Sequence, residues 1–156
     1  MHTMLRAALF LIPGLLPLLA WGGLPAYSQG YDPARDPAAD GRAALQLARH
    51  TGRRVLIEVG GDWCSWCRVL DRFLAEHKTL REKLDRHFVV LKVNVSDEND
   101  NAEFMAGLPR PLGYPHLYVS DPEGRILFSK DSGELLVNGR YSVQRFNDFI
   151  DRWKRP

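Results

Sequence analysis

The chain is 156 residues long, 45% hydrophobic and 26% charged, enough for one ordinary core and too short for two. Its formal net charge of +2 is spread along the sequence, with no basic block and no aromatic-basic alternation, which argues against a nucleic-acid partner. Both cysteines, Cys64 and Cys67, fall in one stretch, Gly60-Gly61-Asp62-Trp63-Cys64-Ser65-Trp66-Cys67-Arg68.

Residues 1–26 differ from the rest. Arg6 gives a short basic start, residues 7–20 form a leucine-rich apolar run broken by Pro13, Gly14 and Pro17, and Gly22, Gly23 and Ala26 follow. The pattern reads as a secretory signal peptide and predicts a periplasmic or secreted protein. The run is shorter than the roughly 20 residues of a spanning helix, which leaves an uncleaved membrane anchor as the lesser alternative. A lipid anchor of the usual bacterial kind would need a cysteine directly after the run, and the first is Cys64. Residues 27–39, with Pro33, Pro37 and little apolar content, read as an extended leader, and the folded domain is expected over 40–156.

Asp40 is placed to cap a helix carrying Ala44, Leu45, Leu47 and Ala48, with Gly52 to end it. Residues 55–59 read as a buried strand, and after the cysteines Cys67, Leu70, Phe73 and Leu74 recur at helical spacing. Leu80 and Leu84 predict a second helical segment over 79–86 or a bent continuation of the first. Residues 88–95 are apolar on both faces, as in the middle of a sheet covered on both sides. A short helix over 102–106 and a loop over 108–115 follow. Residues 116–119 and 125–128 flank Asp121-Pro122-Glu123-Gly124 and predict an antiparallel hairpin. Ser132-Gly133 and Asn138-Gly139 are further turn sites, and Phe146, Phe149, Ile150 and Trp153 stripe a terminal helix starting near Ser142. This order predicts an α/β fold, a central mixed β-sheet flanked by helices on both faces.

A Cys-x-x-Cys opening a helix places its first cysteine where unpaired N–H groups and the positive end of the helix dipole favour a thiolate, the nucleophile of disulfide exchange. Cys67, one turn inward, shares the apolar face with Leu70. Burial raises a thiol's pKa, so Cys67 needs a proton acceptor. The residues alone leave open a static disulfide or half a zinc site, although tetrahedral zinc wants about four ligands and there is no second cysteine pair. Glu58 is a carboxylate in an otherwise apolar strand, where an unpaired charge is costly, and Lys92 is its counterpart in the next strand. Both could instead reach water from a strand end. The run Asp97-Glu98-Asn99-Asp100 lacks the glycine and distal glutamate of a calcium loop and reads as a solvated turn, and His50, His77 and His87 read as surface.

With Asp62-Trp63-Cys64-Ser65-Trp66-Cys67 between strand and helix, Glu58 in the strand before it, Lys92 in the next strand and Tyr114-Pro115 before the hairpin, the chain resembles the thioredoxin family over roughly 40–153. The motif is similar to that of exported thioredoxin-like proteins, including the C-terminal domain of the bacterial transmembrane disulfide reductase. The resemblance implies a thioredoxin-like fold and a thiol-disulfide oxidoreductase, with Cys64 as nucleophile, Cys67 as resolving thiol, and Glu58, paired with Lys92, as proton relay. It also makes Pro115 the cis-proline beside the sulfurs and gives Tyr114 main-chain groups to offer an extended substrate. Trp63 and Trp66 are candidate substrate contacts, Trp63 the more packed and Trp66 the more exposed.

Several departures from the family pattern matter. Trp66 stands where a proline or small residue is common, and the histidine of many strong oxidants is absent, which points to a reductase or isomerase. His116 directly follows Pro115; it could approach the sulfurs but reads as a partly buried strand residue. The implied partners are protein thiols and disulfides and a recharging protein, membrane-linked if the direction is reductive. The protein is expected to be a monomer with no bound cofactor and no metal. The rival reading is a non-catalytic peptide- or protein-binding module with a structural Cys64–Cys67 disulfide; a metal- or haem-delivery chaperone is a third, short of ligands.

Overall fold

In a computed structural model, residues 24–156 are described; the apolar run read as a signal peptide lies outside the described residues. Strand β1 (Arg54–Gly60) is the hub of the sheet. β2 (Phe88–Asn94) runs parallel to it on one side, β3 (His116–Ser120) antiparallel on the other, and β4 (Ile126–Asp131) pairs antiparallel with β3, giving the order β2-β1-β3-β4. The mixed sheet flanked by helices is the predicted architecture. β2 is buried along its whole length, as its two-sided apolar pattern requires.

The first helix starts earlier than the sequence reading placed it. α1 spans Pro37–Thr51 and is capped by Asp36, whose carboxylate accepts from the Ala38 and Ala39 N–H groups at 2.8 and 3.2 Å. Pro37 occupies the first helical position, where its missing N–H would have no partner anyway, so the proline starts the helix and does not lengthen the loop. Asp40 is instead held by Arg35 at 2.6 Å. Gly52 ends the helix at φ 69°, as expected.

The packed part also begins before residue 40. Tyr27 and Tyr31 are buried, the Ser28 hydroxyl donates to the Val90 carbonyl at 2.5 Å, and the Asn99 amide donates to the Pro33 carbonyl at 2.9 Å. The segment read as an extended leader is thus laid along the domain. Two tyrosine rings supply apolar area that a count of aliphatic residues misses.

α2 (Ser65–Glu76) and α3 (Lys78–His87) are separate helices, broken at His77, which sits at φ −106° and ψ 68°. α4 (Ala102–Ala106) is the expected short helix. A two-stranded ribbon, β5 (Leu136–Val137) and β6 (Arg140–Tyr141), turns at Asn138-Gly139 with φ 51° and 73°, and α5 (Val143–Trp153), capped by Ser142, closes the chain.

The sheet divides two cores. α1 and α4 cover Val55, Ile57, Val59, Val89, Leu91 and Val93. α2, α3 and α5 cover Leu56, Phe88, Val90, Leu117 and Val119 with Leu70, Leu84, Phe146 and Ile150. Side chains alternate across a strand, so Glu58 and Lys92 project to the second face, the one that α2 covers.

Candidate active site

The site lies where β1 ends and α2 begins. Cys64 is the N-cap of α2: its backbone is extended at φ −81° and ψ 110°, and its sulfur accepts the Cys67 N–H at 3.1 Å. The two cysteines are joined as a disulfide with Cα atoms 5.3 Å apart. Cys64 is 4% exposed and Cys67 1%, both packed with Tyr31 and Tyr114. The helix-start geometry read from the sequence is therefore present, and it aims an N–H at the sulfur that would carry negative charge.

Behind the sulfurs lies a buried ionisable network. Glu58 and Lys92 are register partners across the parallel pair β1/β2, and their charged ends are 3.8 Å apart. They are 3% and 7% exposed, so neither reaches water in the way a snorkelling side chain would. The Lys92 ammonium also bonds the carboxylate of Asp71 on α2 and lies 4.7 Å over the Tyr31 ring, while the Tyr31 hydroxyl donates to Glu58 Oε1. Burial pushes the Glu58 pKa up; Lys92 opposes this, Asp71 adds to it, and the Tyr31 hydrogen bond opposes it. Burial, followed by the Glu58 charge, holds the Tyr31 hydroxyl well above its ordinary pKa. A carboxyl with a raised pKa is suited to take and return a proton near neutrality.

Gly60 allows this approach. A Cβ there would lie 2.5 Å from Cys67 Sγ and 3.0 Å from the Tyr31 hydroxyl oxygen, so the absence of a side chain leaves the sulfur and the phenol facing one point of backbone.

Tyr114, packed against the cysteine cluster, is joined to Pro115 by a cis peptide bond. Trp63 is not packed away as expected: it is 57% exposed, with its indole N–H donating to the Val95 carbonyl at 2.7 Å and its edge against Tyr114 at 5.5 Å. Gly61 leaves room for that ring, since a Cβ would meet Trp63 Cδ1 at 2.6 Å. Trp66 is 42% exposed and meets Tyr141 edge-on at 6.0 Å. Tyr114 thus borders the disulfide with Trp63 against it, and Trp66, on the first turn of α2, turns toward Tyr141. Beside Trp63 opens a cleft of about 640 Å³ whose wall includes Tyr31, Asp62, Asn94 and Asp97.

His116 takes no part in this group. It is buried, its Nε2 pairs with the Ser129 hydroxyl at 2.7 Å, its ring packs on Tyr118, and burial lowers its pKa. The sequence reading missed Tyr31 and Asp71. Asp71 had a signal, being one helical turn beyond Cys67 on the same face. Tyr31 had only its ring, in a stretch otherwise typical of loop.

A family model described as thioredoxin-like matches residues 36–122, more than half of the chain. The fold is similar to that of a disulphide isomerase from Xylella fastidiosa Temecula1, 28% identical with a TM-score of 0.67 over 83% of this chain and 96% of that one. It also matches the C-terminal domain of DsbD from Neisseria meningitidis in the oxidised form, 15% identical with a TM-score of 0.56 over 76% of this chain and 97% of that one, a likeness of fold alone. A protein disulfide-isomerase of Zea mays is 34% identical over 83 residues, which are 53% of this chain and 15% of that protein. The chain therefore corresponds to a small part of that relative.

Proposed function

The chain belongs to the thioredoxin-like family, and from that premise we propose that it is an exported thiol-disulfide oxidoreductase, of reductase or isomerase type, that exchanges disulfides with protein substrates through Cys64 and Cys67. The observation that carries the reading is the Cys64 sulfur at the N-cap of α2, accepting the Cys67 N–H, with a buried carboxylate on the strand behind it. A static staple has no use for a buried, pKa-raised Glu58 held by Lys92.

In the reductive direction, the Cys64 thiolate attacks one sulfur of a substrate disulfide. The substrate S–S bond breaks, a Cys64–substrate bond forms, and the departing substrate thiolate takes a proton from water. Cys67 then gives its proton to Glu58 and attacks Cys64 Sγ. The mixed disulfide breaks, the second substrate sulfur leaves as a thiolate, and the Cys64–Cys67 disulfide forms, so two electrons have passed to the substrate. That disulfide is the form in which the cysteines stand here. A second protein must return two electrons before the next cycle, and it is membrane-linked if the donor lies across a membrane. Tyr114 and Pro115 offer backbone to an extended substrate segment, and Trp63 and Trp66 offer ring faces beside the sulfur.

Export rests on the sequence of residues 1–26 as a cleaved signal peptide, after which the chain begins with the segment that carries Tyr27 and Tyr31. Among the described residues, no helix is long and apolar enough to cross a membrane.

Equilibration against a glutathione series, read by alkylation of the two thiols, tests the enzyme reading. A potential between about −120 and −270 mV is expected, whereas one below about −300 mV would identify a structural bridge and a non-catalytic binding module. Cys67→Ala should then trap substrates on Cys64 in cells, and cell fractionation with N-terminal sequencing checks export and cleavage.

A further inference from the structure

We infer that Tyr31, from the segment preceding α1, is a positioning residue for the Cys67 step: its hydroxyl holds the Glu58 carboxylate ready to receive the Cys67 proton. The inference rests on the oxidoreductase reading of the same cysteine pair.

The geometry is specific. Tyr31 packs against both cysteines and is 4% exposed. Its hydroxyl donates to Glu58 Oε1, and the same oxygen faces the point on Gly60 that Cys67 Sγ also faces. The phenol therefore lies beside both the resolving sulfur and the acid. It is neutral near neutral pH, because burial and the adjacent carboxylate hold its pKa well above the ordinary value. A neutral phenol has one proton to donate, and it donates to Glu58.

That donation stabilises the carboxylate, the form able to accept a proton, against the burial that favours the neutral acid. The other groups acting on Glu58 come from four elements, while β3 sets the apolar Leu117 beside it: Lys92 on β2 and Arg81 on α3 favour the charged form, Asp71 on α2 disfavours it, and Tyr141 on β6 lies within its field. Tyr31 is the one hydroxyl among them that bonds the carboxylate directly. In the resolution step the Cys67 S–H bond breaks and its proton passes to Glu58. The sulfur's electron pair forms the bond to Cys64 Sγ, and the substrate sulfur leaves with the electrons of the broken mixed disulfide. Tyr31 keeps its own proton and remains hydrogen-bonded throughout. Nothing is oxidised or reduced beyond the exchange itself.

The test is stopped-flow reaction of the reduced protein with an aromatic disulfide whose thiol absorbs light. The first release of thiol reports attack by Cys64 and the second reports attack by Cys67. Tyr31→Phe keeps the ring and removes the donor. The second phase is expected to slow about tenfold at neutral pH, the loss expected for a hydrogen bond to a charged group, with its acid limb displaced to higher pH and the first phase unchanged. In a Glu58→Gln background, Tyr31→Phe should add nothing. An unmoved second phase and limb in Tyr31→Phe would overturn the inference.

If wild type gives neither phase, the oxidoreductase reading fails, and carboxyl NMR decides the Tyr31 question independently. With carbon-13 in the glutamate carboxyls of the disulfide form, the Glu58 titration midpoint should rise in Tyr31→Phe; an identical midpoint would overturn the inference. Should the variant not fold, hydroxyl exchange in the unaltered protein serves instead. A Tyr31 hydroxyl proton that exchanges as fast as an exposed phenol's would equally overturn it.

Discussion

The two faces of β1 solve different problems. Toward α1 the strand presents Val55, Ile57 and Val59, and the matching positions of β2 are Val89, Leu91 and Val93. Toward α2, α3 and α5 it presents Leu56 and then Glu58, opposite Val90 and Lys92. Both faces are buried, yet one is wholly apolar and the other turns ionisable as it approaches the cysteines. A buried carboxylate and ammonium each cost several kcal/mol of lost hydration, which their pairing only partly returns. An all-apolar pair would fill that space at less cost. The charged pair therefore marks the end of the strand where proton handling outweighs packing, and the α1 face shows what the same strand looks like where only stability matters.

That division can be broken most severely at the cysteines. Cys64→Ser should lower protein-disulfide reduction to background while leaving both cores and, with both proteins compared in the reduced form, the unfolding midpoint nearly untouched, because Cys64 adds little apolar area to either core. Activity surviving in Cys64→Ser would move the nucleophile elsewhere.

On the apolar face, Leu91→Ala should cost about 2–5 kcal/mol of stability, the range for emptying a leucine site in a packed core. Urea unfolding measures the loss. At temperatures where the variant stays folded, its two exchange phases should match wild type, pH dependence included. A shifted acid limb in Leu91→Ala would mean that the α1 face is coupled to the site and that the two faces are not separable.

Glu58→Gln probes the other face. Resolution of the mixed disulfide should slow about a hundredfold at neutral pH, the low end of what a positioned acid-base group contributes. Stability should respond with a definite sign. Burial holds the Glu58 pKa above its ordinary 4.5, so the folded chain binds this proton more tightly than the unfolded chain. The resulting stabilisation is complete below pH about 4.5 and is lost as pH rises through the raised value. Glu58→Gln carries no such titration, so wild type should lose stability relative to it as pH climbs through that window. Urea unfolding at about pH 4 and about pH 8 checks the sign, and a constant difference would mean that Glu58 is not desolvated.

The contrast between the faces was half visible in the sequence. Continuous apolar runs locate β1 and β2, helical spacing locates α2 and α5, and a charged residue within each central strand marks Glu58 and Lys92 as exceptional. Whether those two meet depends on the register that pairs Glu58 with Lys92, which no local pattern encodes. Asp36-Pro37 was misread because proline is a breaker everywhere except at the first turn of a helix. Tyr31 was hidden for a related reason: its role depends on a chain path from residue 27 along β2 to the end of β1, held by Ser28 on Val90 and Asn99 on Pro33. Trp63 was placed on the wrong side of the balance between packing and exposure, because one hydrogen bond from its indole to Val95 fixes the ring while leaving its face open.

That open face is where the smallest effect is expected. Trp63 borders the disulfide, the cleft and Tyr114 at once, so it can add contact area to a bound segment without touching the proton route. Trp63→Ala should weaken exchange with protein substrates about fivefold, an effect near 1 kcal/mol that is typical of an interface aromatic outside the hot spot. The loss should appear in KM, with the exchange rate toward a small aromatic disulfide unchanged, since such a reagent has no flanking segment to lie on the ring. An equal loss with both substrates would place Trp63 in the support of Cys64 and extend the chemical end of the sheet to include it. A loss confined to proteins would keep recognition on the exposed rim and chemistry on the buried face of β1.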